Sequence, residues 1–391
     1  GYFCNTSGGA FTVNLPAGSA GAIVSVADYT RTFASNNLTV APNGSEKIGG
    51  VAAESILDIN GQAATFVYVD GTEGWINVQE TETSLTGTTF VAATGGNCIA
   101  TVGNDKIHTF TSPGTFCVSQ IATCSANNQV SYMVIAGGGG GGDAGGGGGG
   151  AGGFREDKSS VTGSYTASPL EGAGTINVTQ TAFPITVGAG GAAGTSGTPA
   201  TGASGANSIF STITSAGGGG GGSRSGGASG TPSIRDGLPG GSGGGGGGTC
   251  GPNPNPAGGS GNTPPVSPPQ GQGGGNGINS SNHQTGGGGG AGGGGTPGNS
   301  SPDTGGPGGA GVTTSINNSP VARAGGGGGG NQGPGPGTGG SGGGGNGGLP
   351  GSNATAGTAN TGGGGGGAGF RPSPSAAAGG SGIVIIRYKF Q

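Results

Sequence analysis

The fold is decided by the stretch Gly137 to Gly150, GGGGGGDAGGGGGG, in which only Asp143 and Ala144 separate two hexaglycines. Further hexaglycines begin at Gly217, Gly243, Gly325 and Gly362, and a tract over 286–295 is broken only by Ala291. Ordering glycine costs about 0.5–1 kcal/mol per residue relative to alanine. Any fold for the chain after residue 136 must therefore contain a dense arrangement of backbone hydrogen bonds that offsets this cost.

The composition excludes several classes of protein. Of 391 residues, 111 are glycine and 24 are proline, yet no Gly-X-Y period is sustained, so the chain is not collagen. The net charge of −4 gives no basic footprint for nucleic acid. No apolar run approaches the ~20 residues that cross a bilayer. We therefore expect neither a nucleic-acid partner nor membrane insertion.

Residues 1–79 have ordinary globular composition and predict short β-strands. The candidates alternate apolar and polar residues or end at turn signals such as Asn60-Gly61. They cover 9–16, 22–28, 37–40, 55–59, 64–69 and 74–78. The sequence favours a small β module in this region.

Several blocks of this module resemble a module that recurs in bacteriophage tail fibres. The blocks occur in the same order: GAFTVNLP (9–16), NNLTV (36–40), NGS (43–45) and FVYVDGTEGW (66–75). The resemblance covers most of residues 1–79. It implies that this part attaches or extends a fibre.

The segment 80–104 is rich in Thr and Gly and predicts a linker. After it, 107–118 reads as a hairpin around Pro113-Gly114, and 130–135 reads as a strand that enters the first hexaglycine. Further strands are expected at 183–187, 208–213 and 382–388. The apolar run 382–388 is typical of a central strand that is buried on both faces. We expect a β framework over 105–216 and 379–391, with glycine tracts and their connections over 217–378.

Residues 105–391 resemble the glycine-rich C-terminal domain of phage tail proteins and other surface proteins. The matching pieces are FTSPGTF (110–116), VIA with the first hexaglycine (134–142), AGGFR (151–155), TVGAGG (186–191) and GGSGIVIIRY (379–388). The resemblance implies an all-β fold, with a β-sandwich-like framework that carries a bundle of polyglycine-II helices and essentially no α-helix. It also implies a homotrimer.

Elementary geometry is consistent with such a bundle. A polyproline-II-like helix has three residues per turn, ~3.1 Å rise and no internal hydrogen bonds, so every N–H and C=O points outward. Because glycine has no Cβ, neighbouring helices can approach and exchange these bonds. The side chains that could recognise a ligand then lie in the connections between tracts.

If each tract crosses the bundle once, alternate connections share an end. The first set, 223–240, 278–285, 312–324 and 346–361, holds chemically varied residues, which are the receptor-binding candidates: Arg224, Ile234, Arg235, Asp236, His283, Ile316, Arg323 and Leu349. The second set, 249–270, 296–304, 331–338 and 368–378, is dominated by proline: Pro252, Pro254, Pro256, Pro264, Pro265, Pro268, Pro269, Pro302, Pro334, Pro336, Pro372 and Pro374. Strict alternation thus predicts one varied end and one rigid, nearly neutral end.

No motif indicates catalysis or a cofactor. The Gly-x-Ser-x-Gly matches at 240–244 and 339–343 are expected by chance in this composition. The charged run 155–158 is interpreted as a solvated face, and Cys117 and Cys124 either form a disulfide across the predicted hairpin or remain free thiols. Only two histidines are present, so a His-rich metal site within one chain is not expected. We predict no catalytic residue, no metal and no cofactor.

The leading hypothesis is a phage tail fibre or adhesin segment, extracellular on the virion tail, that binds a host cell-surface glycan or outer-membrane protein. Its other partners would be further tail proteins. The alternative is a structural subunit of a self-assembling extracellular filament. A glycan-degrading enzyme is a third hypothesis, which would require clustered carboxylates, and the 15 acidic residues are scattered.

Overall fold

The computed structural model describes residues 1–79, 89–195, 200–224, 232–250, 254–370 and 374–391, apart from the side chains of Pro232 and Ser233. The described chain forms two compact units. The first unit comprises residues 1–91, 120–128 and 391, and the second comprises 92–119 and 129–390. Helical structure in the described residues is limited to Pro232–Arg235 and a 3-10 turn at Ser125–Asn128. The predicted all-β fold is confirmed.

The first unit contains two sheets around one apolar core. Its strands are β1 (Tyr2–Cys4), β2 (Phe11–Asn14), β3 (Ile23–Asp28), β4 (Leu38–Ala41), β5 (Ser55–Leu57), β6 (Ala63–Asp70) and β7 (Gly74–Asn77). They pair in the orders β1-β3-β6-β7 and β2-β4-β5. Trp75, Phe66 and Phe33 are fully buried in the core. Buried and more exposed residues alternate along β3, as expected for a half-buried strand.

The predicted linker over 80–104 is wrong in its C-terminal part. Residues 80–88 lie outside the described residues. Beyond them, β8 (Ala92–Thr94) and β9 (Cys98–Val102) are edge strands in two different sheets of the second unit. Strand β9 is mostly exposed, so it lacks the buried apolar positions that indicate a strand. For this reason the Thr-rich and Gly-rich sequence is typical of a linker.

The framework of the second unit consists of two larger sheets. Its further strands are β10 (Asp105–Phe110), β11 (Gly114–Gln120), β12 (Gln129–Ile135), β13 (Phe154–Asp157), β14 (Ile176–Asn177), β15 (Ala182–Thr186), β16 (Ser208–Phe210), β17 (Ile213–Ser215) and the last strand of the chain, Ile383–Lys389. Two small hairpins, β18 (Asn299–Ser300) with β19 (Asp303–Thr304) and β20 (Val312–Thr314) with β21 (Val321–Arg323), complete the strands, so the last one is β22. One sheet has the order β13-β12-β22-β10-β9, with β14 beside β12, and the other has the order β17-β16-β15-β11-β8.

Strand β22 occupies the centre of its sheet, as the sequence predicted. It pairs antiparallel with both β10 and β12. Six of its seven residues are buried, which explains the unbroken apolar run. The C-terminal strand of the second unit is therefore paired with two strands from its N-terminal part.

The predicted hairpin over 107–118 is not a paired hairpin. Strand β10 pairs with β9 and β22 in one sheet, whereas β11 pairs with β15 in the other. The chain crosses from sheet to sheet at 111–113 instead of turning back on itself. Aromatic side chains fill the space between the sheets: Phe116 of β11 lies 5.9 Å from Tyr388 and 6.3 Å from Phe210, measured between ring centroids.

Beyond the sheets, the chain forms extended helices that hydrogen-bond to one another with a period of three. In the first hexaglycine, Gly138 donates to Gly380 and Gly141 donates to Ala377, which lies on the same neighbouring segment. The donors at 137 and 140, and those at 139 and 142, follow the same rule with two other neighbours. Three residues per turn is the period of the polyproline-II helix.

Each central helix is surrounded by six others. The N–H groups of 137–142 donate to three neighbours, and its carbonyl oxygens accept from three more. These neighbours are 145–150, 188–194, 200–207, 217–222, 362–368 and 375–382. The second hexaglycine, 145–150, is surrounded in the same way. The core of this bundle is therefore backbone, and its hydrogen bonds run perpendicular to the helices.

Glycine is required at these positions by close approach. A Cβ built on Gly140 would lie 2.0 Å from the carbonyl oxygen of Ala192, and one built on Gly148 would lie 2.1 Å from that of Gly327. Real carbon–oxygen contacts are more than an ångström longer. The absence of a side chain is thus what permits helices to pack on all sides.

The bundle has two chemically distinct ends. At the framework end, helices continue into the sheets, as at Ala136 and Gly153, which bond to each other. At the opposite end, which we call the cap end, the chain turns at Asp143 and Ala144 between the two central hexaglycines. The described cap-end segments are 142–145, 223–224, 232–236, 249–250, 254–256, 278–285, 298–305, 331–336, 348–354, 369–370 and 374–375.

The assumption that each tract crosses the bundle once, with loops between, is wrong. Segments such as 236–241 and 305–311 are themselves return helices, since Leu238 donates to Gly220 and Gly309 donates to Gly288. Such peripheral helices need glycine only where a neighbour approaches, so side chains and prolines occupy their outer faces; Pro307 is exposed. Proline also suits the polyproline-II conformation. Hence both sets of connections reach both ends of the bundle.

Candidate functional site

Six of the eight predicted receptor-binding residues lie at the cap end, and two do not. Those at the cap end are Arg224, Ile234, Arg235, Asp236, His283 and Leu349. The prolines expected at the opposite end divide between the two ends: 264, 265, 268 and 269 are at the framework end, whereas 254, 256, 302, 334, 336 and 374 are at the cap end. Pro252 and Pro372 lie outside the described residues. The predicted separation into a varied end and a proline-rich end is therefore wrong.

Arg224, His283 and Phe370 form one cluster at the cap end. A Cβ built on Gly145 would lie 3.7–3.8 Å from the Cβ atoms of all three, so they surround the start of the second hexaglycine. The guanidinium carbon of Arg224 lies 4.4 Å from the centroid of the Phe370 ring. The His283 ring meets Phe370 edge-on at 4.5 Å between centroids. We call these residues the Arg224–His283–Phe370 cluster.

The cluster presents both an aromatic surface and a cation. Arg224 and Phe370 are partly exposed, and Cys250, whose sulfur lies 4.0 Å from Nη2 of Arg224, is exposed. Nε of Arg224 and Nδ1 of His283 are buried without a hydrogen-bond partner. An aromatic face beside a cation is suited to stacking and charge-assisted hydrogen bonding with a polar ligand.

His283 is held neutral by its surroundings. The side chain is 4% exposed and the backbone has a φ of 51°. Burial lowers the pKa of His283, the Arg224 cation lowers it further, and a hydrogen bond with the backbone of Thr249 partly opposes both effects. The pKa of His108 is also lowered, mainly by burial.

The lowered pKa of His283 predicts a loss of stability in acid. Its ordinary value is 6.5, so below this pH the unfolded chain takes up a proton that the folded protein resists. The stabilising contribution is complete above the unfolded pKa and is lost as the pH falls through the folded one. We expect the urea midpoint to fall between about pH 7.5 and about pH 5.5, and His283→Asn to reduce that fall.

Asparagine is chosen because it tolerates the left-handed backbone at this position. His108 is unchanged in both proteins, so the difference between their acid slopes isolates His283. Equal acid slopes in the wild type and His283→Asn would contradict a depressed pKa at this residue.

A second polar cluster at the cap end surrounds Asp303. Its carboxylate accepts hydrogen bonds from Asn282 Nδ2 and Gln284 Nε2, each at 2.7 Å, and from Asn331 Nδ2 at 3.2 Å. Asn282 and Gln284 flank His283 in sequence, so the same turn contributes to both clusters. We call Asp303, Asn282, Gln284 and Asn331 the Asp303 cluster. Sequence analysis missed Asp303 and Asn331 because the alternation model placed 296–304 and 331–338 at the other end.

The other predicted residues at the cap end belong to neither cluster. Arg235 is 5% exposed, and its Nε and Nη1 atoms have no hydrogen-bond partner. Asp236 accepts a hydrogen bond from the Ala257 N–H at 2.7 Å, which fixes its return helix. Ile234 is half-buried, and Leu349 lies in a tight turn closed by backbone bonds with Ser352.

Ile316 and Arg323 are at the framework end, and both are buried. Ile316 is fully buried in the apolar core of the second unit. Arg323 belongs to the β20–β21 hairpin and is 6% exposed. This hairpin contacts the sheet through Thr314, which donates to the carboxylate of Glu156 at 2.5 Å. Strict alternation of the connections groups these residues with the cap end, because it places 312–324 in the same set as 223–240 and 278–285.

The charged run 155–158 is not a solvated face. Residues Arg155, Glu156 and Asp157 lie in β13 and are all buried. Burial raises the pKa of Glu156, whereas hydrogen bonds from Ser168 and Thr314 oppose the shift. A short run of mixed charge is usually exposed, and only pairing with β12 reveals that this one is inside.

Other predicted features can be placed directly. All five cysteines are free, so the possible Cys117–Cys124 disulfide is absent. Within the described ranges, no three His, Cys, Asp or Glu side chains gather as metal ligands would. In the same part of the chain, no helix has the length and apolarity to cross a membrane.

Fold and site together define an all-β domain whose interior is a bundle of glycine helices and whose side-chain chemistry is concentrated at the bundle ends. The family model for a glycine-rich domain matches residues 110–389. This match covers more than half of the chain, and the chain therefore belongs to the glycine-rich domain family. A search of curated proteins gave no match.

Proposed function

We propose that the protein is a segment of a phage tail fibre or adhesin, and that the cap end of its glycine bundle recognises the host cell surface. The observation that carries the proposal is the placement of the Arg224–His283–Phe370 cluster and the Asp303 cluster on one end of a bundle whose interior has no room for side chains. The resemblance of residues 1–79 to a tail-fibre module supports the viral assignment. The virion tail is the corresponding location.

The cap end is suited to recognition because its connections are short and anchored on both sides. Asp143 donates its N–H to Ala200, and Gly145 donates to Gly369, so neighbouring turns are bonded to each other. Rigid connections lose little conformational entropy when a ligand binds. A trimer, which the resemblance implies, would multiply weak single sites through avidity.

The chemistry of the two clusters favours a glycan or a polar loop of an outer-membrane protein. Phe370 offers a ring face, Arg224 a cation, and the Asp303 cluster a set of amide and carboxylate groups. Such a mixture serves ligands with many hydroxyl groups. The amide side chains already bond to Asp303, so the cluster is preorganised before a ligand arrives.

Cell binding by the purified protein tests the proposal. We expect fluorescently labelled protein to bind a subset of strains in a bacterial panel. Replacing the cation–aromatic pair, Arg224→Ala with Phe370→Ala, should weaken that binding about tenfold or more, as loss of an interface hot spot does. The matched control is Lys106→Ala with Phe390→Ala, which removes another cation–aromatic pair, 4.9 Å apart, away from the cap end.

The two possible failures are distinguishable. If the wild type binds no strain in a broad panel, the adhesin function is overturned. If binding occurs but the cap-end and control variants bind equally well, the receptor site lies elsewhere. A thermal melt of each variant verifies that it is folded before binding is compared.

A structural filament subunit is the second candidate, and the surface of the first unit favours it. Phe3 is 81% exposed and Tyr29 69% exposed, and their rings contact each other at 6.5 Å between centroids. Contiguous exposed apolar surface marks sites of association when it forms a large enough patch. Sedimentation velocity separates the candidates, since a closed trimer supports the fibre and concentration-dependent open growth supports the filament.

A further inference from the structure

A pocket lies at the framework end of the second unit, on the opposite end of the bundle from the cap clusters. Its volume is about 230 Å³, and its floor includes Arg155 and Gln270. The walls combine polar side chains, among them Thr212 and Thr214, with the apolar Val266.

Arg155 is an unusual residue to find at the floor of a pocket. Arg155 is only 7% exposed, and its Nε atom is buried without a hydrogen-bond partner. Nη2 donates to the carbonyl oxygen of Ala173 at 3.2 Å, and Nη1 makes a long contact of 3.5 Å to that of Pro268. The neutral carbonyl groups satisfy part of the guanidinium but do not neutralise it.

No carboxylate neutralises this cation within the described part of the chain. The one ion pair found there joins Arg387 to Asp105, and Asp157, two residues along β13, makes no ion pair with Arg155. A buried charge without a partner is costly, and a buried Arg is usually paired. Burial accordingly lowers the pKa of Arg155. The electrostatics around Arg155 therefore favour an anion.

Gln270 does not balance the charge of Arg155. Its Oε1 accepts a hydrogen bond from the Ala216 N–H at 2.8 Å, and its Nε2 donates to the Pro264 carbonyl at 2.8 Å. Both ends of the amide are therefore occupied in holding the pocket wall. The charge of Arg155 is therefore not balanced by this neighbouring side chain.

We infer that this pocket binds a small carboxylate, with Arg155 as the group that recognises it. Arg155 lines the pocket and forms no ion pair among the described residues, and its guanidinium fork matches the two oxygens of a carboxylate. Thr212 and Thr214 at the rim supply hydroxyl groups for the rest of the ligand, and Val266 supplies an apolar contact. The pocket is smaller than the ~300–1,000 Å³ of sites for drug-sized ligands, so a simple organic acid or a single acidic sugar fits.

Ligand-observed NMR titration of the full chain tests the inference with four probes: glucuronate, acetate, glucose and inorganic phosphate. We expect glucuronate to bind with a Kd in the millimolar range and glucose not to bind. Arg155→Gln should abolish glucuronate binding. Thr214→Asp, at an exposed rim position, should weaken it about tenfold by charge repulsion without altering the buried floor.

The rim variant keeps the test decisive if Arg155→Gln fails to fold. Thr101→Asp, an exposed residue on β9, adds the same charge outside the pocket and should leave binding unchanged. Equal binding of acetate and glucuronate supports recognition of the carboxylate alone, and preference for glucuronate supports an acidic sugar. Equal binding of glucose and glucuronate, binding of phosphate but not carboxylates, absence of saturable carboxylate binding, or unchanged binding in Thr214→Asp would each overturn the inference.

Discussion

Gly148→Ala is expected to lower the free energy of unfolding by about 3 kcal/mol or more, the upper part of the range for overpacking a close-packed interior. The added methyl group would lie 2.1 Å from the carbonyl oxygen of Gly327. Gly148 also donates to Gly286 at 3.0 Å and accepts from Gly245 at 2.7 Å, so no single neighbour can withdraw without breaking hydrogen bonds. Equilibrium unfolding in urea measures the loss, and failure to accumulate folded protein is its extreme form.

Gly294→Ala is the matched control. A Cβ at this position would have its nearest neighbour, the carbonyl oxygen of Gly273, at 3.5 Å, which is ordinary contact. The same chemical change should therefore be neutral or slightly stabilising, because alanine reduces the entropy of the unfolded chain. Equal destabilisation by Gly148→Ala and Gly294→Ala would show that close approach of helices is not what requires glycine.

Asp105→Ala is expected to cost about 3–5 kcal/mol, because it leaves the buried Arg387 cation without its partner. Nε of Arg387 donates to the Asp105 carboxylate at 2.7 Å, and the two side chains are 3% and 2% exposed. The pair joins β22 to β10, and Arg387 also donates to the Ile316 carbonyl at 3.3 Å. The variant should therefore loosen the β20–β21 hairpin together with the sheet.

A double variant separates the attraction within the pair from the cost of an orphaned charge. Asp105→Leu with Arg387→Met removes both charges, so the loss should be smaller than the sum of the two single losses. Urea unfolding of the wild type, Asp105→Leu, Arg387→Met and the double variant gives the coupling energy directly. Additive losses would mean that the two residues act independently, in contradiction to the observed contact.

The sequence predicted the framework strands well wherever burial leaves a pattern. The apolar run 383–386 is typical of a strand buried on both faces, and the alternation in residues 23–28 indicates a half-buried one. Prediction failed for 155–157, whose charges conceal a buried strand, and for 98–102, an exposed edge with no apolar face. In both cases strand pairing determines the structure: β13 pairs with β12, and β9 pairs with the adjacent β10.

The position of the candidate site could be predicted only in part. Arg224 and His283 were recognised as polar residues between tracts, yet Phe370 and Asp303 join them through three-dimensional packing that no local pattern encodes. The sequence does not reveal the path of the chain, because a segment such as 236–241 contains leucine and proline and still forms a bundle helix. Glycine content identifies the central helices, but a peripheral helix needs few glycines.

The backbone core of the bundle has a thermal consequence. Exposure of apolar surface raises the heat capacity on unfolding, whereas exposure of peptide groups lowers it. Tracts such as 137–142 bury peptide groups and almost no hydrocarbon, so their unfolding contributes less than the ~12–15 cal/mol/K per residue of ordinary globular proteins. A small heat capacity increment flattens the curve of stability against temperature. The glycine bundle should thus retain nearly constant stability from cold to warm surroundings, where a hydrophobic core of the same size would weaken at both extremes.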